Sequence, residues 1–236
     1  MKVIGFLPLR AGSKGIPHKN RNSFLGKPLY KWVLDEMLTS KIFTEIWIST
    51  DDDFIIKEEK ENPKVNIHYR SELVSEDCAS TEEVIEEFLK ERTYNDKDVI
   101  ILVQATNPFL TRIDLNNAFS DFLKYSICEK NDTISMISVV ENHNFLWQQE
   151  FDKIKPINYD PMSRKRRQDI TNTELYIENG SFYISYIKNI NKYHSRLTPE
   201  VLPYVMGKES YLEIDDPLDW IICERIRKYL NEIGKK

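Results

Sequence analysis

Between Leu9 and Asn20 the chain reads Leu-Arg-Ala-Gly-Ser-Lys-Gly-Ile-Pro-His-Lys-Asn. Arg10, Lys14 and Lys19 place three cations within ten residues, and Gly12 and Gly15 allow positive φ and close backbone approach. Backbone N–H groups joined by several cations make a cradle for polyphosphate. The same residues also suit a solvated turn carrying ordinary surface lysines. The run is neither the phosphate loop G-x-x-x-x-G-K-[ST] nor the dinucleotide turn G-x-G-x-x-G. Near the other end, Glu213 and Asp215 stand two apart. If Ser210–Ile214 is a strand, its period of two sends both carboxylates to one face. Paired carboxylates suit Mg²⁺ (or Mn²⁺), whose shell substrate phosphate and water would complete. The basic run Arg164–Arg167 has three readings: a solvated charge run, a nucleic-acid contact, or an arginine clamp on a carboxylate or phosphate.

These residues need a frame. The apolar run Val3–Leu9 reads as a buried strand that stops at the Gly-rich loop. Leu29, Trp32, Val33 and Met37 share one helical face within 28–38. Residues 45–50 read as a second strand, with Asp51–Asp53 to cap the helix that follows to about Lys60. Residues 65–69 form a third strand. Ser80 and Glu83 have capping-box spacing at the start of the next helix. Residues 98–104 are the clearest buried strand, 113–124 a helix and 133–140 a fifth strand. This alternation predicts an α/β fold: a mostly parallel central sheet with helices on both faces. It fails from 141 to 178, a polar and aromatic stretch read as an inserted arm. It resumes at 180–186, 201–206 and 210–214 and closes with a helix from Pro217 to about Asn231, proline in its first turn. Ligands of such sheets sit at the carboxyl ends of the strands, so the first loop and the loop after Gln104 share one rim.

The chain has 236 residues, 41% of them hydrophobic, enough for one domain over 1–236 with an insertion. Its 33 basic and 38 acidic residues give a net charge of −5, which argues against a general nucleic-acid binder. Cys78, Cys128 and Cys223 form no C-x-x-C pair, and His18, His68, His143 and His194 no H-E-x-x-H. That pattern fits a reduced cytoplasmic protein rather than a disulfide or structural zinc scaffold. No apolar stretch reaches the ~20 residues that span a bilayer.

A strand ending in Arg10-x-x-Ser13-Lys14-Gly15, followed by Lys19-Asn20, resembles the nucleotide loop of the CMP-sialic acid synthetase family. Related enzymes act on KDO, legionaminate and pseudaminate. The likeness continues through Leu25-Gly26-Lys27-Pro28-Leu29, Ile48-Ser49-Thr50-Asp51, Arg70-Ser71-Glu72-Leu73, Asp77-Cys78-Ala79-Ser80-Thr81 and Gln104-Ala105-Thr106-Asn107-Pro108. It ends with Arg167-Gln168-Asp169, Asn179-Gly180-Ser181-Phe182-Tyr183 and Glu213-Ile214-Asp215. The resemblance implies a nucleotide-diphospho-sugar transferase-like fold and a homodimer whose arm, 141–178, crosses to the partner's active site. It implies CTP and an acidic sugar as substrates, with a product that feeds surface polysaccharide assembly.

By the same resemblance, Arg10, Ala11, Gly12, Ser13 and Lys19 hold the CTP phosphates, with Lys19 near the α-phosphate, and Asn20 touches the nucleotide. Arg70 and Ala79, Ser80 and Thr81 read cytosine; on its own residues, without the resemblance, Arg70 reads as a surface ion pair with Glu72 or Glu76. Gln104 contacts ribose or sugar, or else caps a helix. Tyr183 lines the sugar pocket, or else is a core tyrosine. Arg167 meets the sugar carboxylate. Asp215 and Glu213 hold the metal, although the family has D-x-D where this chain has Glu-Ile-Asp. Ile177 stands where many members place an arginine. Asp216 and Asp219 read as carboxylates at a helix N-terminus. The competing readings are the same chemistry on another acidic sugar, and a protein that binds CTP without turning it over.

Overall fold

Strands buried on both sides read as continuous apolar runs, because helices cover both faces of a parallel sheet. In the computed structural model, which describes residues 1–76, 79–164, 166 and 175–234, the apolar runs become the centre of such a sheet. The elements in chain order are β1 (Val3–Leu9), the short pair β2 (Ser23–Phe24) and β3 (Lys27–Pro28), α1 (Leu29–Thr39), β4 (Glu45–Thr50), α2 (Asp53–Glu59) and β5 (Asn66–Tyr69). Then come α3 (Glu72–Ser75), α4 (Thr81–Lys90), β6 (Val99–Val103), α5 (Arg112–Cys128), β7 (Ile134–Glu141), β8 (Trp147–Glu150) and β9 (Lys153–Pro156). The chain closes with β10 (Tyr176–Tyr186), α6 (Ile187–Tyr193), β11 (Glu200–Val205) and α7 (Pro217–Glu232).

The main sheet has seven strands in the order β11-β7-β10-β6-β1-β4-β5. Every neighbouring pair is parallel except the two that involve β10, which runs antiparallel to β6 and β7. All five residues of β6 are buried. The period of two sorts side chains into two cores. Val3, Leu7, Leu9, Val99, Ile101 and Val103 pack with α1 and α5 residues such as Val33, Met37, Leu115 and Phe122. Ile4, Phe6, Ile100 and Leu102 pack on the other face with Phe88 of α4 and Ile187 and Ile190 of α6. Phe88 is fully buried, with Phe6, Trp47, His68 and Tyr94 around its ring. Truncating such a residue to alanine costs about 3–5 kcal/mol. A third cluster joins Phe24, Leu29, Phe109, Ile214 and Cys223 under α7.

Local chemistry sets where helices start. The Asp52 carboxylate accepts from Phe54 N (2.9 Å), and full capping boxes open α4 (Ser80–Glu83), α5 (Thr111–Asp114) and α7 (Asp216–Asp219). Each such cap stabilises its helix by about 1 kcal/mol. Asp216 and Asp219 therefore do serve a helix N-terminus.

Two expectations change. The strand expected at 210–214 does not form: a 3₁₀ turn (Lys208–Tyr211) is followed by irregular backbone. The alternation of Tyr-Leu-Glu-Ile-Asp imitates a strand, but instead of a ladder this segment is tied in by Ile214 N–H, which donates to Thr106 O (2.8 Å). The period-of-two argument for Glu213 and Asp215 thus fails. The segment 180–186 is a strand, but it belongs to the longer, antiparallel β10. Within the inserted stretch, β8 and β9 form an exposed hairpin. Phe145 and Tyr159 pack at its base, 4.4 Å between ring centroids.

Candidate active site

Strands β1, β4, β5 and β6 run parallel, so Arg10, Asp51, Arg70 and Gln104, which follow them, emerge on one rim. Between the first loop, α3 and the start of α4 lies a cleft of about 310 Å³. Arg10, Gly12, Ser13, Lys19 and Asn20 line it from the first loop, Arg70 from the end of β5, and Ala79, Ser80 and Thr81 from the start of α4. Gln104, Ala105 and Thr106 close it from the end of β6. Of the residues expected at the nucleotide, Ala11 alone is outside this lining. Its N–H donates to Asp51 Oδ1 (2.8 Å), which ties the first loop to the end of β4.

Several lining residues also hold the walls in place. Asn20 Nδ2 donates to Arg10 O (3.2 Å), closing the loop on itself. Ser80 N–H donates to Glu83 Oε2 (2.6 Å), while the Ser80 hydroxyl accepts from Glu83 N (3.2 Å). Gln104 N–H donates to Ser181 O (3.0 Å) and so anchors the β6 exit to β10. Arg70 is largely buried, and the loss of hydration pushes its pKa down to about 10; Asp51 opposes that shift and Arg10 adds to it. It remains a cation at neutral pH. Its Nε donates to Ser49 Oγ (3.2 Å), and this bond takes the place of the surface ion pair with Glu72 or Glu76.

The two ends of the chain meet beside the cleft. Lys19 Nζ donates to Ile214 O (2.6 Å) and to Asp215 Oδ1 (3.1 Å). Gly15 makes this possible, because a Cβ there would lie 1.9 Å from Asp215 O. Glu213 sits below. Burial raises its pKa, the charge of Asp215 raises it further, and a hydrogen bond from Thr106 Oγ1 (3.3 Å) opposes both. Gly180 has φ +57°, and a Cβ there would overlap the Glu213 carboxylate at 2.1 Å. Only glycine serves that position at low cost. Buried Asn107 braces the same region, its Nδ2 donating to Asn179 O (2.8 Å) and Ser210 O (2.9 Å).

Asp215 thus stands close enough to disfavour the charge of Glu213, which is an arrangement a cation relieves. Among the described residues there is no group of three or more His, Cys, Asp or Glu side chains that could hold a metal. A donor set of two carboxylates suits Mg²⁺, which takes substrate phosphate and water as further ligands, better than a metal caged by protein alone.

Tyr183 is placed otherwise than the sugar-pocket expectation. Its side chain is 4% exposed and belongs to the core around Phe6 and Phe88. Its hydroxyl donates to Glu178 Oε1, and the Arg196 guanidinium lies 4.8 Å from its ring centroid. Burial and the Glu178 bond push its pKa up. Arg196 also makes a fork-to-fork pair with Glu82 (2.6 and 2.9 Å), bracing α4 under the cleft. No spacing in the sequence announces that pair, which joins residues 114 positions apart. Arg167 lies outside the described residues.

The family model described as "Cytidylyltransferase" matches residues 4–215. An N-acylneuraminate cytidylyltransferase of Oncorhynchus mykiss is 38% identical over 94% of this chain and 50% of its own length. The pseudaminic acid cytidylyltransferase of Campylobacter jejuni is 26% identical over 98% of this chain and 99% of its own. The chain spans about half the length of the fish relatives it matches. A solved structure of CMP:2-keto-3-deoxy-manno-octonic acid synthetase complexed with CTP superposes with a TM-score of 0.64 at 15% identity, over 98% of this chain and 99% of that one. At that identity the likeness concerns the fold.

Proposed function

Because the chain belongs to the cytidylyltransferase family, we propose that it transfers CMP from CTP to an acidic nine-carbon sugar of the sialic acid type and releases pyrophosphate. The observation that carries this reading is the bond from Lys19, which lines the cleft, to Asp215 beside it. The named relatives support the nucleotide and the class of acceptor.

The sugar's anomeric hydroxyl attacks the α-phosphorus of CTP. A bond from that oxygen to phosphorus forms, the bond to the bridging oxygen of pyrophosphate breaks, and the hydroxyl proton leaves to solvent. Arg10 and the backbone of Gly12 and Ser13 bind the phosphates. Lys19 supplies positive charge where negative charge grows on the α-phosphate. Arg70 and the start of α4 face the base, where a guanidinium donor and backbone acceptors match cytosine's carbonyl and amino groups. Asp215 and Glu213 would hold Mg²⁺ (or Mn²⁺), which when bound offsets phosphate charge and lowers the pKa of an attached hydroxyl. In this reading the protein is a cytoplasmic homodimer, and the arm over 141–178 brings Arg167 to the partner's acceptor sugar. No helix among the described residues is long and apolar enough to cross a membrane.

A second reading keeps the chemistry and changes the acceptor to pseudaminic or legionaminic acid or KDO. The Campylobacter relative, matched over nearly its whole length, favours keeping it. Pyrophosphate release measured with CTP, UTP, ATP and GTP against a panel of these acids decides. CTP with N-acetylneuraminate is expected to give the highest kcat/KM. Release from CTP with another acid alone would support the second reading. No release from CTP with any acid would leave a nucleotide-binding protein without turnover.

A further inference from the structure

Behind the cleft, Ser49 of β4 and His68 of β5 are register partners on adjacent strands, 0% and 2% exposed. Ser49 Oγ lies 2.9 Å from His68 Nδ1 and 3.2 Å from Arg70 Nε. The direction of these bonds follows from inventory. A guanidinium Nε can only donate, so the Ser49 oxygen accepts from Arg70. The ring nitrogen Nε2 faces the Glu87 and Glu91 carboxylates, which favours the ring proton there and leaves Nδ1 to accept the Ser49 hydroxyl proton. The ring proton sits on Nε2, which is buried without a hydrogen-bond partner among the described residues, 3.8 Å from both Glu87 Oε2 and Glu91 Oε2. Burial, helped by Arg92, pushes the His68 pKa down and keeps the ring neutral, as that arrangement requires. The ring itself is clamped by Phe88, 5.4 Å between centroids.

A hydroxyl free to rotate would make an indifferent acceptor for Arg70. Here a rigid imidazole takes its proton and turns a lone pair toward Arg70 Nε. With Nε held from behind, the terminal Nη edge is what the guanidinium offers to a ligand. We infer that Ser49 and His68 are positioning residues, which hold the Arg70 guanidinium at the angle that a pyrimidine base requires and act on nucleotide binding through Arg70 alone. This rests on the proposed function, which gives Arg70 the base.

The test measures CTP binding by calorimetry and initial rates with N-acetylneuraminate for Ser49→Ala, His68→Leu, His68→Asn, Arg70→Ala and Ser49→Ala combined with Arg70→Ala. An asparagine side chain can offer an acceptor near the place of Nδ1, so His68→Asn serves as the rescue. Loss of one hydrogen bond to a charged group predicts a rise of roughly tenfold in Kd and KM for CTP in Ser49→Ala and His68→Leu. Their kcat should stay within about twofold, as uniform binding requires, and His68→Asn should bind near the wild-type level. In the Arg70→Ala background, Ser49→Ala should cost nothing further. Wild-type affinity in both single variants overturns the inference, and so does an equal loss with Arg70 present or absent, which would mark a general structural effect. Melting curves identify any variant that loses its fold, and the cycle is then read from Ser49→Ala, the smaller change. A wild-type chain that binds CTP but releases no pyrophosphate sinks the proposed function while the binding cycle still decides this one. A wild-type chain that binds no CTP sinks both.

Discussion

At the scale of single residues, the site asks most of Asp215. Its side chain is 74% exposed and bonded to Lys19, so its removal takes little from the fold. Asp215→Ala is expected to lower kcat by about 10²–10³-fold, the cost of removing one group that stabilises developing charge, with melting temperature nearly unchanged. Full activity in a pyrophosphate-release assay would remove Asp215 from the chemistry. Asp215 drew notice in the sequence because carboxylates two apart near the end of an α/β chain suggest a metal, a role that belongs to the proposed function. The geometry behind that reading was wrong, since no strand carries the pair. What brings it to the cleft is Gly15, whose missing Cβ lets the first loop rest on Asp215 O. Gly15→Ala should therefore lower kcat/KM for CTP more than it lowers stability, which paired kinetics and melting curves would show. The Ser49–His68 pair left no trace in the spacing, because adjacent strands bring together residues whose separation in sequence is arbitrary.

Elements are held by caps and by a few buried polar ties. Helix α2 is joined to α1 through Glu59, fully buried, whose carboxylate accepts from Tyr30 Oη (2.7 Å), Lys31 Nζ and Asn62 Nδ2 (3.1 Å). Burial works to raise the Glu59 pKa, but these three donors outweigh it and the net shift is downward. A carboxyl whose folded pKa is lowered contributes stability above its unfolded pKa, and that contribution is lost as pH falls through the folded value. Glu59→Gln should then cost about 2 kcal/mol at neutral pH, or roughly 4–8 °C in Tm. The gap to the wild type should narrow as pH falls below about 4. A gap that stays constant with pH would show that the charge is not what α2 depends on. At this scale the sequence was most transparent. Ser80 with Glu83, Asp52, and Pro217 after Asp216 mark helix starts through bonds that span two or three residues. The direction of β10 was hidden, because a strand's apolar pattern is the same read either way and its pairing depends on distant partners.

Over the whole molecule, Lys19 of the cleft wall is bonded to Ile214 and Asp215 from the other end of the sequence, so a ligand held by both segments stabilises the fold. Mg²⁺ with CTP at 100 times its Kd should add about 2.7 kcal/mol. For a chain of this length that is roughly 5–10 °C in Tm. UTP should give a smaller shift, and a chelator should remove part of the CTP effect. Equal shifts with all four nucleotides would contradict base recognition by Arg70 and the start of α4. That the first loop and the loop after Gln104 share one rim was legible from alternation alone, since such sheets gather their loops at one end; Asp51 and Arg70 join them there in the structure.

One topological detail reaches further. Glu141 at the end of β7 is the ladder partner of Tyr176 at the start of β10, and Asn142 N–H donates to Leu175 O (2.8 Å). The excursion between them leaves and rejoins the body at hydrogen-bonded neighbours, like a cord tied at both ends to one peg. Its length and content are thereby uncoupled from the threading of everything else. In the proposed reading the arm meets the acceptor sugar, so acceptor preference could drift in that cord while the triphosphate chemistry stays fixed. Exchanging residues 142–175 for the matching stretch of the Campylobacter relative should transplant sugar preference, read as kcat/KM across acids, and leave the KM for CTP as it was.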